Sequence, residues 1–152
     1  MTDTNKKIIQ KLEKAQVDYK LYEHEPVYTC EQAAEVRGIS PAEGIKCLLM
    51  KVDEHFILVL TRGDRRLTLR KVFLLEKAKK VRFANAEEVL EIAGCEIGCV
   101  HPFIDIKTYV DKILADTPVI EFNPARHDQS IRIKTEDLLS VLKEPIFADL
   151  SL

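Results

Sequence analysis

The sequence has 152 residues, of which 46% are hydrophobic and 32% are charged, as in a globular domain rather than a disordered, fibrous or membrane chain. A chain of this length can bury a sufficient core without disulfides or metal ions, so we expect residues 1–152 to form one domain. No apolar run reaches the roughly 18 residues of a membrane span, and segment 1–7 is polar where a signal peptide would be apolar. These features predict a cytoplasmic protein whose cysteines are free thiols.

The charges are distributed unevenly along the chain. The whole sequence has a net charge of -2, but segment 62–82 carries nine basic residues against Asp64 and Glu76, a local excess of +7. A local positive surface can attract a polyanion such as RNA even when the whole molecule is weakly acidic. On charge alone, a solvated helix face without a partner explains the segment equally well.

Helical and strand-like patterns alternate in the first half of the chain. Thr29 and Gln32 have capping-box spacing and Gly38 supplies a stop, so a short helix is predicted between them. The predicted elements are a helix over 4–16, a strand over 19–22, a helix over 30–37, a helical turn over 40–44, and a hairpin of strands 45–52 and 56–61.

The second half is richer in strands. Asn85 caps a helix that Gly94 ends. The other predicted elements are a helix over 67–78, strands at 81–83, 106–110, 119–122 and 130–134, a helix over 136–142, and a strand at 146–148. The sequence therefore predicts a mixed α/β fold with seven or eight strands and five helices.

Lys46 is unusual because it lies in an apolar strand. Its side chain shares one strand face with Leu48, Met50 and Val52, and the opposite face is also apolar. A buried ammonium needs a partner or a water-lined cavity, so Lys46 is a candidate ligand-binding residue. A lysine at a strand end whose ammonium reaches solvent is an equally good interpretation.

The loop after the predicted 85–94 helix combines glycines with a proline. Glycine lets the chain approach a ligand and point N–H groups at it, and proline fixes the exit, so such a loop can form a pocket of donors. An ordinary connecting loop would have the same composition. The candidate residues are Gly98, Cys99, Val100, His101 and Pro102.

The cysteines and histidines are candidates for metal ligands or nucleophiles. Cys95, Cys99 and His101 lie close together, but a second cysteine pair at zinc-site spacing is missing, so no metal is expected. Small buried apolar residues are the favoured interpretation of the cysteines, although a Cys–His nucleophile pair stays open. His24 before a proline, and His127 with Ser130 at a turn between strands, are either pocket residues or plain turn residues.

Taken in order, these stretches resemble the bacterial-type prolyl-tRNA editing family, also known as the YbaK domain family. The resemblance covers nearly the whole chain. Its landmarks are Glu-His-Glu-Pro at 23–26, Ala-Ala-Glu at 33–35, Gly-Ile-Ser at 38–40, Ile-Lys at 45–46, Gly-Asp-Arg-Arg-Leu at 63–67, the helix ending at Gly94, the loop 98–102, and Ser-Ile at 130–131 leading to Asp-Leu at 137–138.

The resemblance implies a mixed, mostly antiparallel sheet that curls around a pocket flanked by helices. It implies a free-standing deacylase that hydrolyses the ester of mischarged tRNA in trans, on tRNA-Pro-type substrates that carry Cys, Ala or Ser, without a cofactor. The family's invariant lysine matches Lys46, and its Gly-x-x-x-Pro loop matches Gly98 to Pro102. His24, Met50, His127 and Ser130 would then contact the substrate, while the tRNA would bind Arg62, Arg65, Arg66, Arg70 and Lys71.

The resemblance also leads to a mechanism that the structure can test. Loop N–H groups would orient the ester and a water molecule, Lys46 would hold the substrate, and the terminal ribose hydroxyl would help to activate the water. This requires Lys46 and Gly98 to border one cavity. Partners are aminoacyl-tRNA and a possible synthetase, and the alternatives are a non-catalytic binding module of the same fold, hydrolysis of small aminoacyl esters, or thiol redox sensing.

Overall fold

Local sequence signals determine where most elements begin and end in the computed structural model, which describes residues 3–152. Residues 1 and 2, part of the segment that predicted no signal peptide, lie outside the described residues. The elements are α1 Asp3–Ala15, β1 Tyr19–Glu23, α2 Cys30–Arg37, β2 Ile45–Val52, β3 His55–Arg62, α3 Leu69–Glu76, β4 Val81–Phe83, α4 Ala86–Ala93, β5 Thr108–Asp111, α5 Lys112–Ala115, β6 Val119–Phe122, β7 Gln129–Lys134, α6 Thr135–Val141 and β8 Ile146–Ala148.

The strands form two sheets. One is antiparallel with the order β1-β7-β6, and the other is mixed with the order β4-β2-β3-β5-β8, in which β3, β5 and β8 are parallel neighbours. A bridge between Gly44 and Glu121 joins the start of β2 to β6. The predicted mixed α/β fold is confirmed, with the strands divided between two sheets.

Two apolar cores lie on opposite faces of the five-stranded sheet. The larger core fills the space between the sheets and includes Leu12 of α1, Leu58 of β3 and Ile131 of β7. The smaller core contains Met50 of β2 and Val72 of α3. Because strand side chains alternate between faces, Lys46 lies on the Met50 face, and its neighbour Cys47 lies on the face of the larger core.

Capping interactions explain why the observed bounds of α2 and α4 agree with those predicted from the sequence. The Thr29 hydroxyl accepts from the Gln32 N–H at 3.1 Å, and Gly38 ends α2 in the left-handed conformation with φ of 67°. The Gln32 side chain accepts from the Tyr28 N–H at 2.8 Å, one residue before the predicted partner. At α4, Asn85 and Glu88 form the full reciprocal capping box.

The predicted elements differ from the structure where contacts between distant parts of the chain determine whether an element forms or where it begins. The four-residue helix α5 was not predicted, because it is too short to show a helical period. Strand β5 begins at Thr108 rather than at 106, since Ile106 N–H donates to Ile104 O within a turn. In the described part of the chain, no helix is both long enough and apolar enough to cross a membrane.

Glu76 at the end of α3 fastens this helix to strands β3 and β5. Its carboxylate accepts from His55 at 2.8 Å, from Lys107 at 2.7 Å and from the Tyr109 hydroxyl. Burial opposes ionisation and is the largest single influence, but together these donors lower the pKa of Glu76 to about 2.

The low pKa of Glu76 predicts an acid-sensitive contribution to stability. A carboxyl whose pKa is lower in the folded protein stabilises it above the unfolded pKa, and this stabilisation is lost as the pH falls from about 4.5 towards 2. Over that range wild type should lose about 2 to 3 kcal/mol more of its unfolding free energy than Glu76→Gln. Chemical denaturation at several pH values measures this difference, and parallel pH curves for the two proteins would contradict it.

Candidate functional site

A cavity of about 400 Å³ lies beside the first half of β2. Strand β4 pairs with β2 at Met50–Val52, and one further hydrogen bond joins Ala84 N–H to Leu49 O. Among the described strands, none covers the preceding part of this edge, from Ile45 to Leu48. Side chains before α2, the turn after β6 and the loop after α4 surround the open edge and enclose the cavity.

Lys46 borders this cavity from the strand itself. Its side chain is partly exposed, and its Nζ donates to the backbone carbonyl of Arg65 at 3.0 Å. An ammonium has three N–H donors, and within residues 3–152 this is its one hydrogen bond, so two donors remain available. The structure therefore places a positive charge with spare donors at the cavity.

Gly98 and Val100 border the same cavity from the loop after α4. Gly98 has φ of 94°, and a Cβ there would lie 3.2 Å from Tyr28 O and 3.3 Å from His127 Cε1. Glycine is favoured at this position by the positive φ, and a Cβ would also be tightly packed there. Within residues 3–152, the N–H groups of Gly98 and Val100 have no protein acceptor. The loop thus brings two unused backbone donors to the cavity that Lys46 borders.

The other three loop residues predicted as catalytic lie outside this cavity. Cys99 is buried and borders a different hollow, and Pro102 is also buried. His101 is buried with Nε2 3.1 Å from Ala93 O, while its Nδ1 accepts from Phe103 N–H at 3.1 Å. Burial lowers the pKa of His101 to about 4, so the ring is neutral at physiological pH. Both ring nitrogens of His101 thus contact backbone groups at the two ends of the loop.

The predicted substrate-binding residues also lie beyond the cavity wall. Met50, a predicted substrate contact, is fully buried in the smaller core at the point where β4 pairs with β2, and it does not border the cavity. The His127 ring lies behind Gly98, with Nδ1 3.1 Å from Val27 O and Nε2 3.1 Å from Glu96. It supports the loop from outside.

His24 and Ser130 form a pair at the end of the three-stranded sheet. His24 Nε2 lies 2.7 Å from Ser130 Oγ, and Nδ1 lies 2.7 Å from Glu25 O. Ser130 is buried and borders a hollow of about 20 Å³, which is too small for a substrate. The two residues are brought together as a pair, and neither borders the cavity beside β2.

The basic segment 62–82 is divided by its contacts. Arg62 is held by Asp64 in a bidentate pair, Arg65 Nε donates to Ser151 Oγ at 3.3 Å, and Lys71 lies 3.2 Å from Asp149. Arg66 and Arg70 are exposed, and their side chains have no ion-pair partner among residues 3–152. The last two are therefore the freest positive charges among the five predicted tRNA contacts.

All four cysteines are free, and two of them, Cys30 and Cys47, border the cavity. Burial raises the pKa of both thiols, and raises the pKa of Cys95 to about 11 and of Cys99 to about 12. The reactive form of cysteine is the thiolate, so these environments disfavour nucleophilic chemistry. Within residues 3–152, no three His, Cys, Asp or Glu side chains are grouped as a metal site.

Several residues at the cavity were not among the predicted site residues. Tyr28 and Phe83 at its rim are 60% and 51% exposed, an unusual environment for aromatic rings, and Asn123 borders the cavity from the turn after β6. Asn123 also donates from Nδ2 to Gln129 O at 2.7 Å. An aromatic residue beside a cap or strand end carries no distinctive sequence signal, since its exposure depends on the folded chain.

A larger hollow, of about 910 Å³, lies between α1 and the 101–105 segment. It is lined mainly by apolar side chains and the aliphatic parts of α1 lysines, and its buried histidine is the neutral His101. Size alone therefore does not identify the reactive site, and the smaller cavity holds the more distinctive set of donors.

Comparison with known proteins agrees with this assignment of the fold. Residues 24–141 match the family model described as an aminoacyl-tRNA editing domain. This range includes β2 and the loop after α4. The chain belongs to the aminoacyl-tRNA editing domain family, which confirms the resemblance found in the sequence.

Individual relatives include a deacylase and a synthetase. The Multifunctional Ser/Thr-tRNA deacylase ProXp-y of Escherichia coli K12 is 29% identical over 147 residues, covering 91% of this chain and 87% of that protein. Proline--tRNA ligase of Bacillus licheniformis is 51% identical over 80 residues, which cover 52% of this chain but 14% of the ligase. A solved structure described as a candidate trans-editing enzyme for prolyl tRNA synthetase has a TM-score of 0.87 and 25% identity, with 100% and 99% coverage.

The surroundings of Gly98 predict a graded response to added side chains. Gly98→Ala and Gly38→Ala both place a Cβ at positive φ, but nothing lies within 4 Å of the Cβ position at Gly38. We expect Gly38→Ala to lose about 1 to 2 kcal/mol of unfolding free energy, and Gly98→Ala to lose more because the loop must also move from Tyr28 O. Parallel urea unfolding measures the difference. Equal losses would mean that the space at Gly98 is not limiting.

Proposed function

We propose that this chain hydrolyses the ester bond of mischarged aminoacyl-tRNA, using the cavity beside the open edge of β2. The observation that carries the proposal is that Lys46 and the unused donors of Gly98 and Val100 border one cavity. Membership of the aminoacyl-tRNA editing domain family supports the reaction class, a hydrolysis at an ester.

The hydrogen-bond donors at the cavity indicate how the ester would be bound. Two free donors on the Lys46 ammonium would hold a carbonyl or phosphate oxygen of the substrate. The N–H groups of Gly98 and Val100 would orient the ester and stabilise the negative charge that develops on its oxygen during attack by water. Such donors stabilise the transition state more than the ground state only if they are fixed beforehand.

Activation of the attacking water falls to the substrate in this proposal. Among the described residues that border the cavity there is no histidine, aspartate or glutamate, and the thiols of Cys30 and Cys47 have raised pKa values. The free hydroxyl of the terminal ribose can accept a hydrogen bond from the water or donate one to the ester. Catalysis then depends mainly on positioning and on preorganised donors.

The cavity rim fits the end of a nucleic acid strand. Tyr28 and Phe83 expose aromatic rings at the rim, and unpaired bases stack on such rings. The basic segment continues from this rim, since Phe83 follows Arg82 directly and Arg65 contacts Lys46. The acceptor end of a tRNA would thus meet positive charge beside the cavity that receives its terminal ester.

Substrate identity is proposed from the relatives. Similarity to a proline--tRNA ligase and to a Ser/Thr-tRNA deacylase supports tRNA-Pro-type substrates that carry small residues such as Ala, Ser or Cys. Similarity to a solved structure described as a candidate trans-editing enzyme for prolyl tRNA synthetase, with 99% of that chain covered, supports action in trans. A cytoplasmic location is part of the same proposal, since the reaction accompanies translation. A cavity of about 400 Å³ limits the volume available to the amino acid and the terminal nucleoside.

Removal of the Lys46 ammonium tests the catalytic role directly. Lys46→Ala should lower kcat for deacylation of Ala-, Ser- and Cys-charged tRNA-Pro by about 10² to 10³, because a preorganised donor is lost. Lys51→Ala is the matched control, since Lys51 lies on the same strand but outside the cavity. Circular dichroism and thermal unfolding confirm that both variants fold. A Lys46→Ala variant with wild-type kcat would refute the role, whereas tRNA binding without hydrolysis by wild type would favour a non-catalytic module.

The exposed arginines should control the salt dependence of tRNA binding. Charge reversal at Arg66 and Arg70 should weaken binding and lower the slope of log K against log salt concentration by about 1 to 2, as two phosphate contacts are lost. Lys20→Glu combined with Lys134→Glu, both exposed in the three-stranded sheet, is the control with the same change in net charge. Fluorescence titrations at several salt concentrations measure the slopes, and an unchanged slope in the double variant would assign Arg66 and Arg70 to solubility.

A further inference from the structure

A row of three polar side chains crosses the five-stranded sheet at the end that carries Lys46. Lys46 of β2 pairs with Thr61 of β3, and Thr61 Oγ1 donates to Asp111 of β5 at 2.6 Å. The register of β3 and β5 continues from Leu60 and Val110, so Asp111 lies beside Thr61. Directly opposed residues point to the same face of a sheet, so the three side chains share the face of the smaller core.

The C-terminal segment closes this row into a ring. Ser151 Oγ donates to Asp111 Oδ2 and accepts from Arg65 Nε at 3.3 Å. The carbonyl of that same Arg65 accepts the hydrogen bond from Lys46 at 3.0 Å. One residue therefore contacts Ser151 through its side chain and Lys46 through its backbone.

The ring is anchored at a buried carboxylate. Asp111 is 1% exposed and Ser151 is 3% exposed, and Asp111 also accepts from Leu150 N–H at 3.1 Å. A buried carboxylate must satisfy its acceptor sites, and here three donors from β3 and the C-terminal segment do so. Hydrogen bonds to a charged group in a dry site are strong and directional, so the position of Ser151 is tightly determined.

Backbone hydrogen bonds join the segment that contains Ser151 to the turn after β3. Leu67 and Ser151 form an antiparallel bridge, Leu152 N–H donates to Arg66 O at 2.9 Å, and Thr68 N–H donates to Leu150 O at 2.9 Å. The turn that carries the Arg65 carbonyl is thus held by the C-terminal segment on one side. The Arg65 carbonyl in turn accepts the hydrogen bond from the Lys46 ammonium and so orients it.

We infer that Asp111 and Ser151 are positioning residues for Lys46. They contact neither the cavity nor its contents, and they act by fixing the Arg65 carbonyl that directs the ammonium towards the cavity. The inference rests on the catalytic role proposed for Lys46, and it assigns a function in the reaction to a C-terminal segment far from Lys46 in sequence. The buried charge of Asp111 is explained by this requirement for a fixed direction.

Steady-state deacylation by Ser151→Ala, Asp111→Asn and Ser151→Thr tests the inference. The first two variants should lower kcat about tenfold to a hundredfold with KM within about twofold, because misplacement of a catalytic group slows the reaction without removing substrate contacts. Ser151→Thr retains the hydroxyl, so its kcat should stay close to the wild-type value. Ile131→Val, in the three-stranded sheet, is the control for a general loss of stability.

A second measurement follows the Lys46 amine without requiring activity. Lysines are reductively methylated with 13C, and the Lys46 signal is assigned by its disappearance in Lys46→Arg. This signal should shift in Ser151→Ala and Asp111→Asn, but stay at its wild-type position in Ile131→Val and Ser151→Thr. If Asp111→Asn does not fold, Ser151→Ala alone decides.

The outcomes separate this inference from the proposed function. Absence of deacylation by wild type would reject the function, while the Lys46 signal would still report whether the ring directs the amine. Wild-type kcat and an unshifted Lys46 signal in Ser151→Ala would overturn the inference. It would also be overturned if Ile131→Val, at an equal loss of thermal stability, lowered kcat as much.

Discussion

The incomplete pairing of β2 determines where the cavity forms and which side chains border it. Strand β4 covers β2 at Met50–Val52, and the described chain supplies no strand beside Ile45 to Leu48. An uncovered edge would normally expose backbone groups to association with another strand. Here the loop after α4, the residues before α2 and the turn after β6 surround it and leave a cavity instead of a closed contact. Side chains from both faces of β2 can reach this opening, which is how Lys46 and Cys47 come to border the same space.

Much of the fold could be predicted because its signals are local. The caps at Thr29 and Asn85 and the apolar runs of β2 and β6 gave boundaries within one or two residues of those observed. Division of the strands into two sheets was not predictable, since it depends on pairings between distant segments such as β1 with β7. Helix α5 was not predicted, because its four residues are too few to show a helical repeat of apolar positions.

The candidate site could be predicted only in part. The predicted residues that border the cavity differ from the others in how the fold places their side chains. An ammonium in an apolar strand and a glycine near a proline also fit plain structural roles, and the resemblance to the editing family was what favoured Lys46 and Gly98 as site residues. Met50 and His101 came from the resemblance to the editing family, and neither borders the cavity. Met50 is buried in the smaller core where β4 pairs with β2, and His101 is buried against the backbone at the end of α4. The exposure of Tyr28 and the location of Asn123 arise only after folding, so no local pattern marks them.

The proposed reaction relies on accurate placement of donors around the ester, since the described residues that border the cavity include no imidazole or carboxylate. Accurate placement requires that each donor be held from behind. His127 backs Gly98, neutral His101 ties the loop to the end of α4, and Arg65 receives Lys46. Charging His101 would break its acceptance of the Phe103 N–H, so its low pKa keeps the loop in place through the physiological range. Residues that hold the donors from behind, such as His127, His101 and Arg65, would therefore matter for such a site although none of them borders the cavity.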